Sequence, residues 1–304
     1  MSRVATLPTQ IMLNSAIARG QESVANANLE LGTFKKVQTY ADLGADTRRM
    51  LTAATMRAQQ QAQKDVSQRV GSTLSLYDLA LTGVHDSLND LSGKLLSAIG
   101  QHNGGGVAQA AKEAFDTFRT ALNSSEAGVP IFAGGQTETL PFVPKTLADL
   151  LTLGSPAAAF ANDQTRATAH IDGDTDLSYG ITADEVGTGI VEAFQTLAGL
   201  GDLPKQLTSA QEDEIGKAIA QINKGLEPLK KANGRNGDLR KHVEGLADSA
   251  EQRITLLNGV IGDAVDADVR QVATDLSARS MALNASYAAL TKLNTLSLAN
   301  FLLP

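Results

Sequence analysis

The strongest candidate for a chemical site lies at residues 172–176, whose sequence is DGDTD. Alternating carboxylates of this kind begin calcium-binding loops, which also require glycine at the sixth position and glutamate at the twelfth. Those two positions are occupied by Leu177 and Ala183. We therefore predict a turn between two strands at 172–176 and no metal site.

The remaining polar residues do not form a recognisable catalytic or phosphate-binding pattern. The glycines after Asn103 are not followed by the lysine and hydroxyl residue of a phosphate loop, so this run is predicted to end a helix. Acidic residues at 212–214 fall in the first turn of a predicted helix, where they complement the helix dipole. The histidines do not stand at metal-ligand spacing; they are His85, His102, His170 and His242. We expect no catalytic residue, cofactor or metal ion.

The amino-acid composition favours closely packed helices over one thick core. The 304 residues include 45 alanines but only eight Phe, four Tyr and no Trp. The absence of cysteine excludes disulfides and thiolate chemistry. A net charge of −7 argues against binding to nucleic acid or to an anionic membrane. No apolar run approaches the roughly 18 residues of a membrane span, and the N-terminal segment lacks the features of a cleaved signal peptide.

Two seams of regularly spaced apolar residues predict long helices. The first seam alternates steps of four and three residues, and the chain before it has no Gly or Pro at 47–69, so one helix is predicted from about 46 to 99. A shorter helix at about 107–123 should return antiparallel to it. The second seam, from Val243 to Ala264, shifts register near Val265 by a four-residue stutter. The first seam comprises Val70, Leu74, Tyr77, Leu81, Val84, Leu88, Leu91, Leu95 and Ala98.

Two local signals mark the helix that contains the second seam. The helical period resumes at Thr208 or Ser209, and Glu212 stands three residues after Ser209 at capping-box spacing, which predicts the start of this helix. The sequence NGRNG at 233–237 predicts a bend within it.

Residues 128–206 differ in character from the helical segments on either side. They hold five of the eight prolines, and short β-prone pieces occur at 129–133, 166–171 and 177–181. We therefore predict a mainly α fold: a long antiparallel helical coiled-coil rod formed by the N- and C-terminal segments, with a small inserted α+β or β-rich outer domain. The predicted divisions are terminal self-assembly helices at 1–40 with 268–304, a helical rod at 41–134 with 206–267, and the inserted outer domain at 135–205.

The two ends of the chain are poor in charge. Residues 4–34 and 271–304 each contain three charged residues, about half the fraction in the whole chain, which is 19%. Their apolar residues nevertheless keep helical spacing, and one pair of helices cannot bury all of that surface. We predict a self-assembly interface between copies, formed by Leu13, Ile17, Val24, Leu31, Leu283, Tyr287, Leu290, Leu293, Leu296, Leu298 and Phe301.

The C-terminal segment resembles that of a known family. The sequences DAD at 266–268, ASY at 285–287 and LSLANFL at 296–302 are similar to the terminal signature of the flagellin superfamily. The final segment is more similar to the hook–filament junction branch, the third hook-associated proteins, than to filament flagellins. The sequence IFAGGQTET at 131–139 is similar to the entry into the outer domain of that family.

The resemblance implies an extracellular structural subunit of the bacterial flagellum, located where hook meets filament and exported without a cleaved signal peptide. It implies a ring of identical copies that contacts flagellin on the filament side and the first hook-associated protein on the hook side. It also implies a flagellar export chaperone and the type III export apparatus as partners. Two alternatives stay open: a filament flagellin, and a coiled-coil adaptor or surface binding module that uses residues 135–205 as its site.

Overall fold

The computed structural model describes residues 3–36, 39, 43–44, 46–172 and 175–302, except for the side chains of 3–7, 9, 172, 175 and 293–302. The chain divides into two compact units. We call Met1–Gln59 with Arg253–Pro304 the terminal unit, and Gln60–Gln252 the central unit.

Long helices dominate the described residues, and the predicted mainly α fold is confirmed. The α-helices are α1 (Arg3–Thr33), α2 (Asp46–Gly100), α3 (Val107–Leu122), α4 (Ala183–Leu200), α5 (Ser209–Val265) and α6 (Val269–Leu302). The strands are β1 (Ser125–Glu126), β2 (Val129–Pro130), β3 (Ala167–Asp172) and β4 (Thr175–Tyr179), and short 3-10 helices lie at Leu147–Thr152 and Pro156–Ala159.

Helix α2 has the bounds that the sequence predicts, to within one residue. Every seam residue from Val70 to Ala98 is at most 8% exposed, as expected when other helices surround the seam. The helix ends where Asn103 donates its backbone N–H to the Ala98 carbonyl at 2.9 Å and His102 adopts a left-handed φ of 54°. The predicted helix stop is therefore confirmed, but the left-handed residue that follows α2 is His102 and not one of the glycines after Asn103.

Helix α5 packs antiparallel to α2 within the central unit. Lys64 of α2 forms an ion pair with Glu251 of α5, while Leu74, further along α2, contacts Asn236, which lies earlier in α5. The Asn236 side chain is buried and donates from Nδ2 to the Leu74 carbonyl at 2.7 Å. Helix α5 continues through 233–237, so the predicted bend does not interrupt it. The inward hydrogen bond of Asn236 supports the helix at this position.

The cap that begins α5 lies one residue before the predicted one. Thr208 Oγ1 accepts the backbone N–H of Gln211 at 3.3 Å, and Gln211 Oε1 accepts the backbone N–H of Thr208 at 3.0 Å. This is a reciprocal capping box, in which glutamine serves as well as glutamate. The predicted cap at Ser209 and Glu212 is therefore wrong, and Glu212 instead contacts His102 Nδ1 at 2.6 Å.

The stutter predicted near Val265 is instead a break between two helices. Helix α5 ends at Val265 and α6 begins at Val269. Between them, Asp268 Oδ1 accepts the backbone N–H groups of Arg270 at 3.0 Å and Gln271 at 3.3 Å. A carboxylate at this position satisfies the free N–H groups of the first helical turn. The DAD sequence thus separates the helices.

Helices α4 and α5 approach closely at a pair of glycines in the central unit. A Cβ atom added at Gly225 would lie 2.8 Å from the Gly189 carbonyl carbon and 2.8 Å from the Ile190 nitrogen. Both of these are backbone atoms, so a side chain could be accommodated only if the helices moved apart. Near the same crossing, Thr196 Oγ1 and Gln221 Oε1 are 2.8 Å apart. Two glycines therefore set the separation of α4 and α5.

Replacing Gly225 with alanine should lower the free energy of unfolding of the central unit by about 1–3 kcal/mol, the usual cost of overpacking. The reason is the clash with the α4 backbone, which outweighs the higher helix propensity of alanine. Urea unfolding followed by circular dichroism measures the difference. Gly216→Ala is the matched control, because the described residues place no atom within 4 Å of a Cβ there. Gly216→Ala should be neutral or stabilising, and equal losses in both variants would contradict the crossing.

Two small antiparallel hairpins are present: β1–β2 lies just before the inserted segment at 135–205, and β3–β4 lies within it. In the second hairpin Ala167 pairs with Tyr179 and Asp172 pairs with Thr175. The predicted strands at 166–171 and 177–181 are therefore confirmed to within a few residues, while residues 173–174 of the predicted turn lie outside the described residues. Helix α4 and the 3-10 helices complete an α+β segment.

The inserted segment shares one hydrophobic core with α2 and α3 in the central unit. The Tyr77 ring of α2 packs edge-on against Phe132, with ring centroids 4.9 Å apart. Its hydroxyl donates to the Ile131 carbonyl. Burial raises the pKa of Tyr77 to about 12. Tyr77 therefore remains a neutral hydrogen-bond donor that fixes the start of the inserted segment on α2.

Candidate assembly surface

Helices α1 and α6 pack antiparallel in the terminal unit. Near the end of α1, Lys35 pairs with Asp266, just before α6 begins. Further back along α1, Gln21 donates its side-chain amide to the Tyr287 hydroxyl. The two helices touch closely at Gly20, where an added Cβ would lie 3.1 Å from Leu283 Cδ1. The two ends of the chain thus form one helical pair.

The structure places the predicted interface residues of α1 along one stripe of that helix. Ile17 is buried, while Leu13, Val24 and Leu31 are half-buried. On α6, Leu283 and Leu290 are half-buried and Tyr287 is exposed. The side chains of the other four predicted residues lie outside the described residues; they are Leu293, Leu296, Leu298 and Phe301. The stripe therefore faces the α1–α6 contact within one chain.

Burial along this stripe is less complete than in the central unit. The α2 seam from Val70 to Ala98 is almost fully buried, because several helices cover it. Among the described residues, α1 and α6 each offer the other's stripe one opposing helix, and most stripe residues stay half-exposed. Two helices alone cannot surround a seam on all sides.

A second group of apolar residues on α1 and α6 points away from the stripe. Sequence reasoning missed these residues because they lie off the helical spacing used to define the seam. Their side chains are 48–69% exposed. We call them the outer apolar set: Ile11, Met12 and Leu29 on α1, and Met281 on α6. The signal that could have found them is the presence of large apolar residues off the seam in helices with few charges.

The exposed face of α5 in the central unit is charged instead of apolar. Its exposed positions carry many charged side chains, among them Lys217, Lys224, Glu227, Lys230 and Asp238. Charged side chains keep a helix surface in water. Single exposed apolar residues also occur on α2, at Leu79 and Leu96. Those of α1 and α6 lie on helices with few charges, and this combination makes them the candidate contact surface.

Within the described part of the chain, no group of three or more His, Asp or Glu side chains could hold a metal ion. The described helices also include no stretch long and apolar enough to cross a membrane.

The fold is thus of a definite class: helices from the two ends of the chain pair antiparallel, and an α+β segment is inserted in the sequence between the long helices. It is similar to a solved structure described as a flagellar hook-associated protein from Vibrio parahaemolyticus, with a TM-score of 0.60 and 15% identity over 74% of this chain and all of that one. It is also similar to FlgL from Bacillus cereus, with a TM-score of 0.55 and 12% identity over 70% of this chain and 98% of that one. No protein-family model matches the sequence, and no curated protein matches it.

Proposed function

We propose that this protein is a structural subunit of the bacterial flagellum that joins the hook to the filament. The observation that carries the proposal is the outer apolar set, which is exposed on the paired, charge-poor helices α1 and α6. The likeness in fold to a protein named as hook-associated and to FlgL supports the flagellar setting. The role is structural, without catalysis or a cofactor.

In this proposal the terminal helices, at 1–40 and 268–304, contact neighbouring copies in a ring. Residues 41–134 with 206–267 form the helical rod, and residues 135–205 form the outer segment. The ring contacts flagellin on one side and the first hook-associated protein on the other. The chain reaches this extracellular site through the type III export apparatus, with an export chaperone.

Assembly would be driven by burial of the apolar residues that the single chain leaves exposed. Complete burial of one large apolar side chain contributes about 1.5–3 kcal/mol. The outer apolar set and the half-buried stripe supply several such side chains in each copy. Their summed contribution opposes the entropy lost when the terminal helices are held in the ring.

Deleting the gene tests the proposal directly. The deletion strain should make intact hooks that carry no filament, and should release filament protein into the medium. Filaments of normal length on the mutant hooks would contradict the proposal. If the purified chain instead polymerised alone into long filaments when seeded, it would be a filament flagellin.

A charge placed in the outer apolar set should block assembly without unfolding the chain. Ile11→Glu and Met281→Glu each put a carboxylate where burial between copies would leave it unpaired. We expect each variant to bind hooks isolated from the deletion strain at least about tenfold more weakly, which corresponds to about 1.4 kcal/mol. Binding is measured by pelleting the hooks and quantifying the bound chain.

The matched control for this experiment is Asn223→Glu on α5. It adds the same charge at an exposed position of the central unit that already has charged neighbours. Asn223→Glu should bind hooks as well as the unaltered chain, and all three variants should keep its melting temperature. Normal binding by Ile11→Glu and Met281→Glu would show that the outer apolar set lies outside the interface.

A further inference from the structure

The methionines of this chain are confined to the terminal unit. They are Met1, Met12, Met50, Met56 and Met281, and the 193 residues of Gln60–Gln252 contain none. Methionine is flexible and polarisable, which suits surfaces that must adapt to a partner. Its thioether is also the side chain that mild oxidants convert reversibly into a polar group. The distribution therefore concentrates one kind of redox chemistry in the unit that carries the outer apolar set.

Accessibility divides the described methionines into two classes. Met12 and Met281 are 69% and 67% exposed, and Met56 on α2 is 51% exposed. Met50, also on α2, is only 7% exposed. Because oxidation requires the oxidant to reach the sulfur, the first three should react before Met50. Met50 is thus an internal reference within the same unit.

The two most exposed methionines lie on the helices that carry the proposed interface. Met12 stands beside Leu13, a member of the half-buried α1 stripe. Met281 lies two residues before Leu283, whose side chain meets Gly20 of α1. Both side chains belong to the outer apolar set and point away from the α1–α6 contact. A change of polarity at these sulfurs therefore alters the interface between copies and not the pairing of α1 with α6.

We propose that Met12 and Met281 make assembly of this chain sensitive to peroxide, an inference that rests on the proposed function. Hydrogen peroxide transfers one oxygen atom to each thioether sulfur. The O–O bond breaks as the S–O bond forms, the sulfur loses two electrons, and the second peroxide oxygen leaves as water. The product is methionine sulfoxide, which methionine sulfoxide reductases return to the thioether with a dithiol as reductant.

The sulfoxide changes what the interface must bury. A thioether enters an apolar contact readily, whereas the sulfoxide oxygen is a strong acceptor that loses its water without gaining a donor there. Oxidation at both positions should raise the chain concentration needed for half-maximal hook binding at least about tenfold. A chain already in the ring should resist peroxide, because its neighbours cover both sulfurs.

The test uses the full-length chain, treated with hydrogen peroxide and then quenched. Peptide mass mapping follows the oxidation of each methionine over time, and hook pelleting measures binding at each time point. Two variants accompany the unaltered protein. The first is Met12→Leu with Met281→Leu, which keeps apolar side chains of similar volume. The second is Met56→Leu, which removes an exposed methionine that lies outside α1 and α6.

We expect Met12 and Met281 to oxidise ahead of Met50, and binding to fall as they do. The double variant should keep its binding after peroxide, whereas Met56→Leu should lose binding like the unaltered chain. Treatment with the reductases should restore binding. Unchanged binding with Met12 and Met281 fully oxidised, or equal loss in the double variant, would overturn the inference alone. Failure of the untreated chain to bind hooks would overturn the proposed function, and the inference with it.

Discussion

Replacing Phe142 with alanine should lower the free energy of unfolding of the central unit by about 3–5 kcal/mol, the cost typical of truncating a buried aromatic residue. Phe142 is fully buried, and its ring centroid lies 5.8 Å from that of Phe115 and 5.2 Å from that of Phe118, both on α3. On its other side it meets Phe160, with centroids 5.5 Å apart. Removing this ring therefore leaves a cavity between α3 and the inserted segment.

The backbone around Phe142 limits how far the structure can collapse into that cavity. Its N–H donates to Asn123 Oδ1 at 3.0 Å, and its carbonyl accepts from Asn123 Nδ2 at 2.9 Å. This pair of hydrogen bonds holds the segment in place beside the end of α3, so most of the cavity should persist.

Val143→Ala is the matched control for Phe142→Ala. Val143 is the next residue along the chain but is 55% exposed, so its truncation should change the free energy of unfolding by less than about 0.5 kcal/mol. Urea unfolding of the full-length protein measures both variants. If the inserted segment folded independently of α3, Phe142→Ala would instead produce a separate early transition and leave the main one unchanged.

The sequence predicts α2 well because one regular seam extends along it and other helices cover that seam. It does not predict α4, which carries three glycines in 18 residues and so has a low helix propensity. Two of those glycines are used for packing. A Cβ at Gly187 would lie 2.6 Å from the Phe160 ring, and Gly189 meets Gly225 of α5. Such contacts join segments that are distant in sequence, so the local spacing of apolar residues does not predict them.

The candidate assembly surface is predictable in part for a similar reason. The heptad spacing that includes Leu13, Ile17 and Leu31 identifies the stripe that α1 turns toward α6. It does not identify Ile11 or Met12, because only the packing of α1 on α6 shows which side of α1 is left uncovered. The low charge of the two ends predicts that a contact surface exists, whereas tertiary structure is needed to say where it lies.

Removing residues 271–304 should abolish assembly while leaving the central unit folded. The truncation deletes all but the first two residues of α6. The deleted part of α6 is the partner that covers Ile17 and Ala27 on α1. The central unit has its own hydrophobic core, to which α6 contributes no residue among those described. We therefore expect its main thermal transition to stay within a few degrees of that of the full chain. Hook binding should become undetectable.

Circular dichroism and complementation of the deletion strain together distinguish loss of assembly from loss of folding. The truncated chain should lose helical signal in proportion to the α6 and α1 residues that no longer pack, and should fail to restore swimming. A chain that carries Met281→Leu in place of the truncation keeps α6 and should restore swimming fully. If the truncated chain restored swimming, the terminal helices would be dispensable and assembly would have to proceed through the central unit. The predicted separation of a folding core in the central unit from an assembly surface on α1 and α6 would then be wrong.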